Sequence, residues 1–272
     1  KACVPTLQKR GKEWFLDFCF EEWISLAETP VSERVILAVD LGINSAATVS
    51  AMRADGTVIG RHFCSHPVEK DRLAHAVNRI KKAQQHGARK MPRLWARTKG
   101  INDDIAVKTA QFIIDIALLY NADVIVFEHL DLSGRKRGSR KQRLHLWKAR
   151  RVQSIVTDKA HRLGMRISRV NAWNTSRLAF DGSGHVVRGK ESEKAGGSYS
   201  VCEFQNGKVY NCDLNAAYNI GARYYIREIL KSLPVTERLA MEAKVPACAK
   251  RSTCTLSTLI SMYAVLLAYC RQ

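Results

Sequence analysis

Three carboxylates stand where the chain has little use for charge. Asp40 closes the apolar run Val-Ile-Leu-Ala-Val at 35–39, Glu128 closes Val-Ile-Val-Phe at 124–127, and Asp213 precedes the helix-like stretch 214–230. An acid at the end of a buried strand is costly unless it is paired or binds a cation. Carboxylates on rigid elements around one cleft suit Mg²⁺, a hard ion that keeps several waters and needs few protein ligands. Two such ions about 3.5–4 Å apart activate a water and stabilise a leaving oxygen in phosphodiester hydrolysis. Each acid alone also has a plainer reading: Asp40 as a turn residue before Gly42, Glu128 as a solvated strand end, Asp213 as a helix N-cap. Together they run strand end, strand end, helix start, which is the connectivity of a ribonuclease H-like site.

The elements that must position them are legible from periodicity. Residues 35–42 form a nearly continuous apolar run, as a central strand covered on both faces does. Residues 46–52 and 58–64 follow through Asp55-Gly56, a hairpin signal, so the first three strands form an antiparallel meander. Two helices come next, with Leu73, Val77 and Ile80 on one and Ile101, Ile105, Phe112, Ile116 and Tyr120 on the other. Residues 123–130 are a second buried strand. A helix then runs to Leu163, where Gly164 stops it, and 165–172 is a further strand. Residues 199–204 and 208–212 flank an Asn206-Gly207 turn and read as a β-hairpin. Ahead of all these, residues 12–21 read as a strand with Trp14, Leu16, Phe18 and Phe20 on one face, followed by a polar, Pro-broken linker near Glu28-Thr29-Pro30.

Charge narrows the partners. There are 44 Lys and Arg against 25 Asp and Glu, a net charge of +19, which disfavours a compact domain unless a polyanion offsets it. Two segments concentrate the excess. Residues 81–99 carry seven basic residues and no acid, among them Lys81, Lys82, Arg89, Lys90 and Arg93. Residues 135–151 carry nine: Arg135, Lys136, Arg137, Arg140, Lys141, Arg143, Lys148, Arg150 and Arg151. The first, between the two helices, reads as a solvated linker or a basic hairpin lying on nucleic acid; the second can be a solvated helix face, but phosphate contact is the reading that accounts for so few acids nearby. Trp95 and Trp147 lie among these charges; stacking on bases is open to them, and a place in the core is the expectation. His129 reads as a packing neighbour of Glu128 rather than a ligand.

No secretory signal or membrane span is visible, and a cytoplasmic protein with no membrane partner is expected. The run 256–270 is short, carries Ser257, Thr258 and Ser261, and reads as a buried helix. The eight cysteines include no CxxC pair. The chain begins at Lys1 rather than Met, as a fragment or a processed protein would.

Four segments carry a family resemblance: AVDLGINSAAT at 38–48, VIVFEHLDLSG at 124–134, NTS at 174–176 and DLNAAYNIGAR at 213–223. They resemble the split RuvC motifs of TnpB-type transposon nucleases and are similar to type V CRISPR effectors. The resemblance spans roughly residues 12–230. It implies an α/β, ribonuclease H-like (RuvC) fold: a mixed five-stranded sheet flanked by helices, with a helical insertion and a small β-hairpin insert like a degenerate zinc ribbon. It implies that 1–34 is the end of a wedge-like β-barrel and a linker, that 35–230 is the nuclease domain with inserts at 68–121 and 175–212, and that 231–272 is a tail the motifs do not explain.

By the same resemblance, Asp40, Glu128 and Asp213 match the catalytic, metal-binding acids, with two Mg²⁺ ions for which Mn²⁺ can substitute. Guide RNA and target DNA are the implied partners, in a bacterial, phage or mobile-element setting, with sequence read by base pairing. Asn174, Thr175 and Ser176 would position a phosphate or order the cleft. The chain departs from the family at its zinc ribbon. Only Cys202, Cys212 and His185 remain as ligands, short of the four that a structural zinc site needs, so zinc is not expected. An RNA-guided repressor that does not cut, and a stand-alone ribonuclease H-like resolvase or transposase, are the competing readings. Retention of all three acids speaks against the first; the basic insert and leading strand speak against the second.

Overall fold

The computed structural model describes residues 2–130, 148–192, 194 and 197–269. Five strands form the central sheet: β3 (Ile36–Asp40), β4 (Ala47–Met52), β5 (Val58–Cys64), β6 (Val124–His129) and β7 (Arg166–Asn171). Their spatial order is β5-β4-β3-β6-β7. The first three pair antiparallel, and β3-β6 and β6-β7 pair parallel. This is the mixed five-stranded sheet of the ribonuclease H-like fold, with the meander and the two buried strands where periodicity puts them.

Alternation along the strands sorts the core into two layers. Leu37, Val39, Ile125 and Phe127 face one side, against α2 (Pro92–Leu119) and α3 (Ala149–Arg162). Ile36, Ala38, Val124 and Val126 face the other, against α4 (Cys212–Ser232). The face of α2 that meets the sheet differs from the expected one. Its buried residues are Ala106, Ala110, Ile113, Ile114 and Ala117, while Ile101, Ile105, Phe112 and Ile116 are only half-buried. Small residues bring the helix axis close to the sheet, and the larger ones flank the seam. On the opposite face Gly221 does the same for α4, since a Cβ there would lie 2.4 Å from Met52 Sδ and 3.2 Å from Ala38 Cβ.

The basic insert is a helical hairpin. α1 (Pro67–Gln85) and α2 each begin with proline in the first turn, where its missing N–H has no intrahelical partner to lose. Gly87, with φ of 82°, turns the chain between them.

Two features depart from expectation, while the tail bears out the buried helix expected at 256–270. The leading strand is shorter than 12–21: β2 (Glu13–Asp17) pairs with β1 (Thr6–Arg10), and Phe20 makes only an isolated bridge to Ala2. Its apolar side chains Trp14, Leu16, Phe18 and Phe20 are exposed. Trp95 is 42% exposed rather than a core anchor; Trp147 lies outside the described residues. The tail is part of the core. After α5 (Val235–Lys244) and a 3-10 turn at Pro246–Ala249, α6 (Leu256–Tyr269) lays Leu256, Leu259 and Met262 into the same layer as α4. Among the described residues no helix is long and apolar enough to cross a membrane.

Candidate active site

Strand parity brings two of the acids together. Asp40 follows Ile36 and Ala38 on its face of β3, and Glu128 follows Val124 and Val126 on the same face of β6. The strands run parallel with Val39 opposite Phe127, so the next pair along the register is Asp40 beside Glu128. Asp123 fixes that register at the strand entry. Its backbone N–H donates to Val35 O, and its carboxylate accepts the Val35 N–H, each at 2.8 Å.

The third acid comes from the helix on that face. Asp213 is not the N-cap. Asn211 is: its side-chain oxygen accepts from Asp213 N at 3.0 Å and Leu214 N at 2.9 Å, and the helix starts at Cys212. Capping by Asn211 leaves the Asp213 carboxylate free in the first turn, where the helix dipole favours negative charge.

The electrostatics show Asp40 responding to the other two acids. Burial pushes the Asp40 carboxyl well above the usual carboxylate range, and the charges of Glu128 and Asp213 push it further. Burial also raises Glu128, opposed by a hydrogen bond from Thr175 and by the positive charge of Arg223. Opposite Asp40 in the β3-β4 register lies Thr48, whose buried hydroxyl has no hydrogen-bond partner among the described residues. Carboxylates held at the expense of their charged form, beside an orphaned hydroxyl, fit a site that takes a cation and its waters. The donors are hard oxygens, as Mg²⁺ requires. Among the described residues no group of three or more His, Cys, Asp or Glu side chains is placed to hold a metal ion.

A buried polar ladder on α4 supports the site, and periodicity did not reveal it. Asn215, Asn219 and Arg223 recur every four residues on one side of the helix, each at most 4% exposed. Asn215 donates to Leu178 O and accepts from Phe180 N. Asn219 donates to Thr175 O and Leu178 O and accepts from Leu256 N. Arg223 donates to the carbonyls of Asn171, Trp173, Ser252 and Cys254. The ladder therefore holds the loop 171–180 and the tail against the helix. Thr175, 2% exposed, sits in that loop and donates its hydroxyl to Glu128. The available signal was three polar side chains at helical spacing within an otherwise apolar helix.

The expected nucleic-acid residues are scattered around this centre. Lys81, Lys82, Arg89, Lys90 and Arg93 are exposed at the tip of the helical hairpin. Arg150 and Arg151 are exposed on the first turn of α3, and Lys148, just before it, is paired with Asp103. Ser176 is half-buried beside Thr175. Arg135, Lys136, Arg137, Arg140, Lys141 and Arg143 lie outside the described residues. A hollow of about 500 Å³ opens between the end of β6 and α3, lined by His129, Leu130, Arg150, Gln153, Thr157, Asp158 and Arg169 among others.

The hairpin insert is a three-stranded ribbon of β8 (Val187–Arg188), β9 (Val201–Glu203) and β10 (Val209–Asn211). Its interior is apolar and aromatic. Phe180 meets Phe204, Tyr210 and Tyr218 edge-on, and Cys202 and Cys212 are buried beside them. A hydrogen bond with Cys212 and burial keep the Cys202 thiol protonated. His185 is exposed.

Comparison with known proteins follows the same lines. The family model described as Cas12f1-like, TNB domain matches residues 150–220, which include the ribbon, Thr175 and Asp213. A TnpB-like protein of Aquifex aeolicus is 27% identical over 238 residues, covering 78% of this chain and 74% of the relative. The chain is similar to TnpB-like and Cas12f proteins. In solved structures, the protein of a Cas12f1–sgRNA–target DNA complex superposes with a TM-score of 0.53 at 17% identity, over 79% of this chain and 54% of that one. The protein of a CRISPR–Cas12f ternary complex gives 0.53 at 19% identity, over 79% and 44%. At such identities the likeness establishes the fold. The chain spans about half the length of those Cas12f proteins.

Proposed function

We propose that this chain is the catalytic part of an RNA-guided DNA endonuclease, hydrolysing DNA phosphodiester bonds with Mg²⁺ held by Asp40, Glu128 and Asp213. One observation carries the reading: strand parity, register and the Asn211 cap gather three acids at one end of one sheet face, where Asp40 feels the charge of the other two. Two ions held there by Asp40, Glu128 and Asp213 would supply Lewis-acid activation of water and stabilisation of the leaving oxygen. The chain's own groups do the rest. Thr175 orients Glu128. Arg150 and Arg169 flank the hollow between the end of β6 and α3 and offer phosphate contacts. Lys81, Lys82, Arg89, Lys90 and Arg93 extend the basic surface along the helical hairpin, where phosphate contact is independent of sequence. The names printed for the relatives, a TnpB-like protein and Cas12f in complex with guide RNA and target DNA, support RNA and DNA as partners.

The test is to purify the protein from its host with bound RNA and measure Mg²⁺-dependent cleavage of a plasmid matching that RNA. Guide-length RNA with cutting that Asp40→Ala, Glu128→Ala and Asp213→Ala each abolish is the expected result. RNA without cutting makes the protein a repressor, and cutting without RNA makes it a stand-alone nuclease.

A further inference from the structure

The docking of the tail creates a second hollow, away from the three acids. It has a volume of about 180 Å³ and lies between β7, α4, α5 and the 3-10 turn. Val170, Ile226, Leu230 and Cys248 give it an apolar lining. Around them stand Arg169, Arg223, Arg227, Lys231, Arg238 and Arg251, with Glu242 the acid in the lining.

Four of the six cations are engaged within the protein. Arg223 binds four carbonyls, Arg227 and Lys231 hold Glu228 at 2.8 and 3.4 Å, and Arg238 holds Glu242 at 3.0 Å. Six cations thus face two carboxylates, which leaves four positive charges uncompensated. The Arg169 and Arg251 side chains have no hydrogen-bond or ionic partner among the described residues, and both are exposed at the rim. Guanidinium forks match phosphate oxygens in a bidentate way. An apolar lining below such a rim suits a flat heterocycle.

We propose that this hollow binds one nucleotide unit of a nucleic-acid strand, its phosphate on Arg169 and Arg251 and its base against Val170, Ile226 and Leu230. A strand rather than a free nucleotide is favoured because Arg169 also lines the hollow between the end of β6 and α3, so one side chain borders both. The assignment to a strand rests on the nucleic-acid reading given above; the phosphate chemistry does not.

Calorimetric titration of the whole chain with AMP, inorganic phosphate and a short single-stranded oligonucleotide tests it. AMP is expected to bind more tightly than phosphate and to be displaced by the oligonucleotide. Arg251→Glu and Arg169→Glu should each weaken AMP about tenfold or more, as loss of a bidentate charge-assisted contact does. Ala249→Trp fills the hollow without changing charge and should abolish AMP binding while leaving phosphate binding in place. Unchanged AMP affinity in Ala249→Trp, or in both charge reversals, overturns the site. AMP binding without displacement by the oligonucleotide overturns the strand and assigns the hollow to a free nucleotide. A chain that binds AMP but fails to cut separates this inference from the catalytic reading, and so does one that cuts without binding AMP.

Discussion

Thr175 donates its hydroxyl to the Glu128 carboxylate across 47 residues of sequence. The same hydroxyl also lies 3.0 Å from Ala172 O, and the Thr175 carbonyl accepts from Asn219 on α4. One side chain thereby ties the end of β6 to the loop after β7 and to the helix that carries Asp213.

That bond sets a pH dependence. It opposes the burial that raises Glu128, so Thr175→Val removes a lowering influence and moves the carboxyl further up. A carboxylate that must be ionised to hold a metal is then lost at a higher pH. The acid limb of the pH–rate profile for Mg²⁺-dependent cleavage should shift upward in Thr175→Val. Activity near neutrality should fall by about tenfold, as expected for a hydrogen bond to a charged group, and partly recover in alkali. An unshifted acid limb would remove Thr175 from the site.

Asp40 trades stability for function. Its carboxyl is raised in the folded chain, so its contribution to stability is present in acid and is lost as pH rises through the folded value. Asp40→Asn removes that cost. In EDTA at neutral pH the variant should melt about 2–4 °C higher than the parent, the size expected from about 1 kcal/mol in a chain of this length. The gap should close toward acid pH, and Mg²⁺ should stabilise the parent alone. Thermal melts across pH, with and without Mg²⁺, check all three expectations.

Asn211 and Asp213 should separate cleanly in denaturant titrations. Loss of an N-cap costs about 1 kcal/mol, so Asn211→Ala should be destabilising by that amount. Asp213→Asn leaves the cap intact and should cost little stability while abolishing cleavage. The opposite ranking would return the capping role to Asp213.

Gly221 marks how closely α4 lies on the sheet. Gly221→Val would force a side chain into Met52 and Ala38 and should cost about 1–3 kcal/mol through overpacking. Gly100 has nothing near its missing Cβ, so Gly100→Ala on α2 should instead be neutral or slightly stabilising. Urea midpoints of the two variants measure the contrast.

Much of this architecture is written locally. The apolar runs ending in Asp40 and Glu128 announce two central strands, and alternation with a period of two already assigns both acids to one face once the strands are parallel. Asn206-Gly207 announces the ribbon turn, whereas the start of α2 at Pro92, inside the basic stretch 81–99, is seen only in the structure. Partner choice is not local. The sequence alone allows Asp213 to cap its helix, and only the folded chain shows Asn211 in that place. Nothing in the spacing of Thr175 or Arg223 says that one will bond Glu128 and the other four distant carbonyls, because those partners become neighbours only when the loop 171–180 and the tail dock on α4. The tail itself shows a short apolar stretch in sequence, and only tertiary packing makes it a wall of the core and of a basic hollow. The main strands and helices along the chain, acid identity and charge were therefore determined by the sequence by itself. The tertiary structure decided which polar groups answer one another, since a buried hydrogen bond depends on packing between segments far apart in the chain.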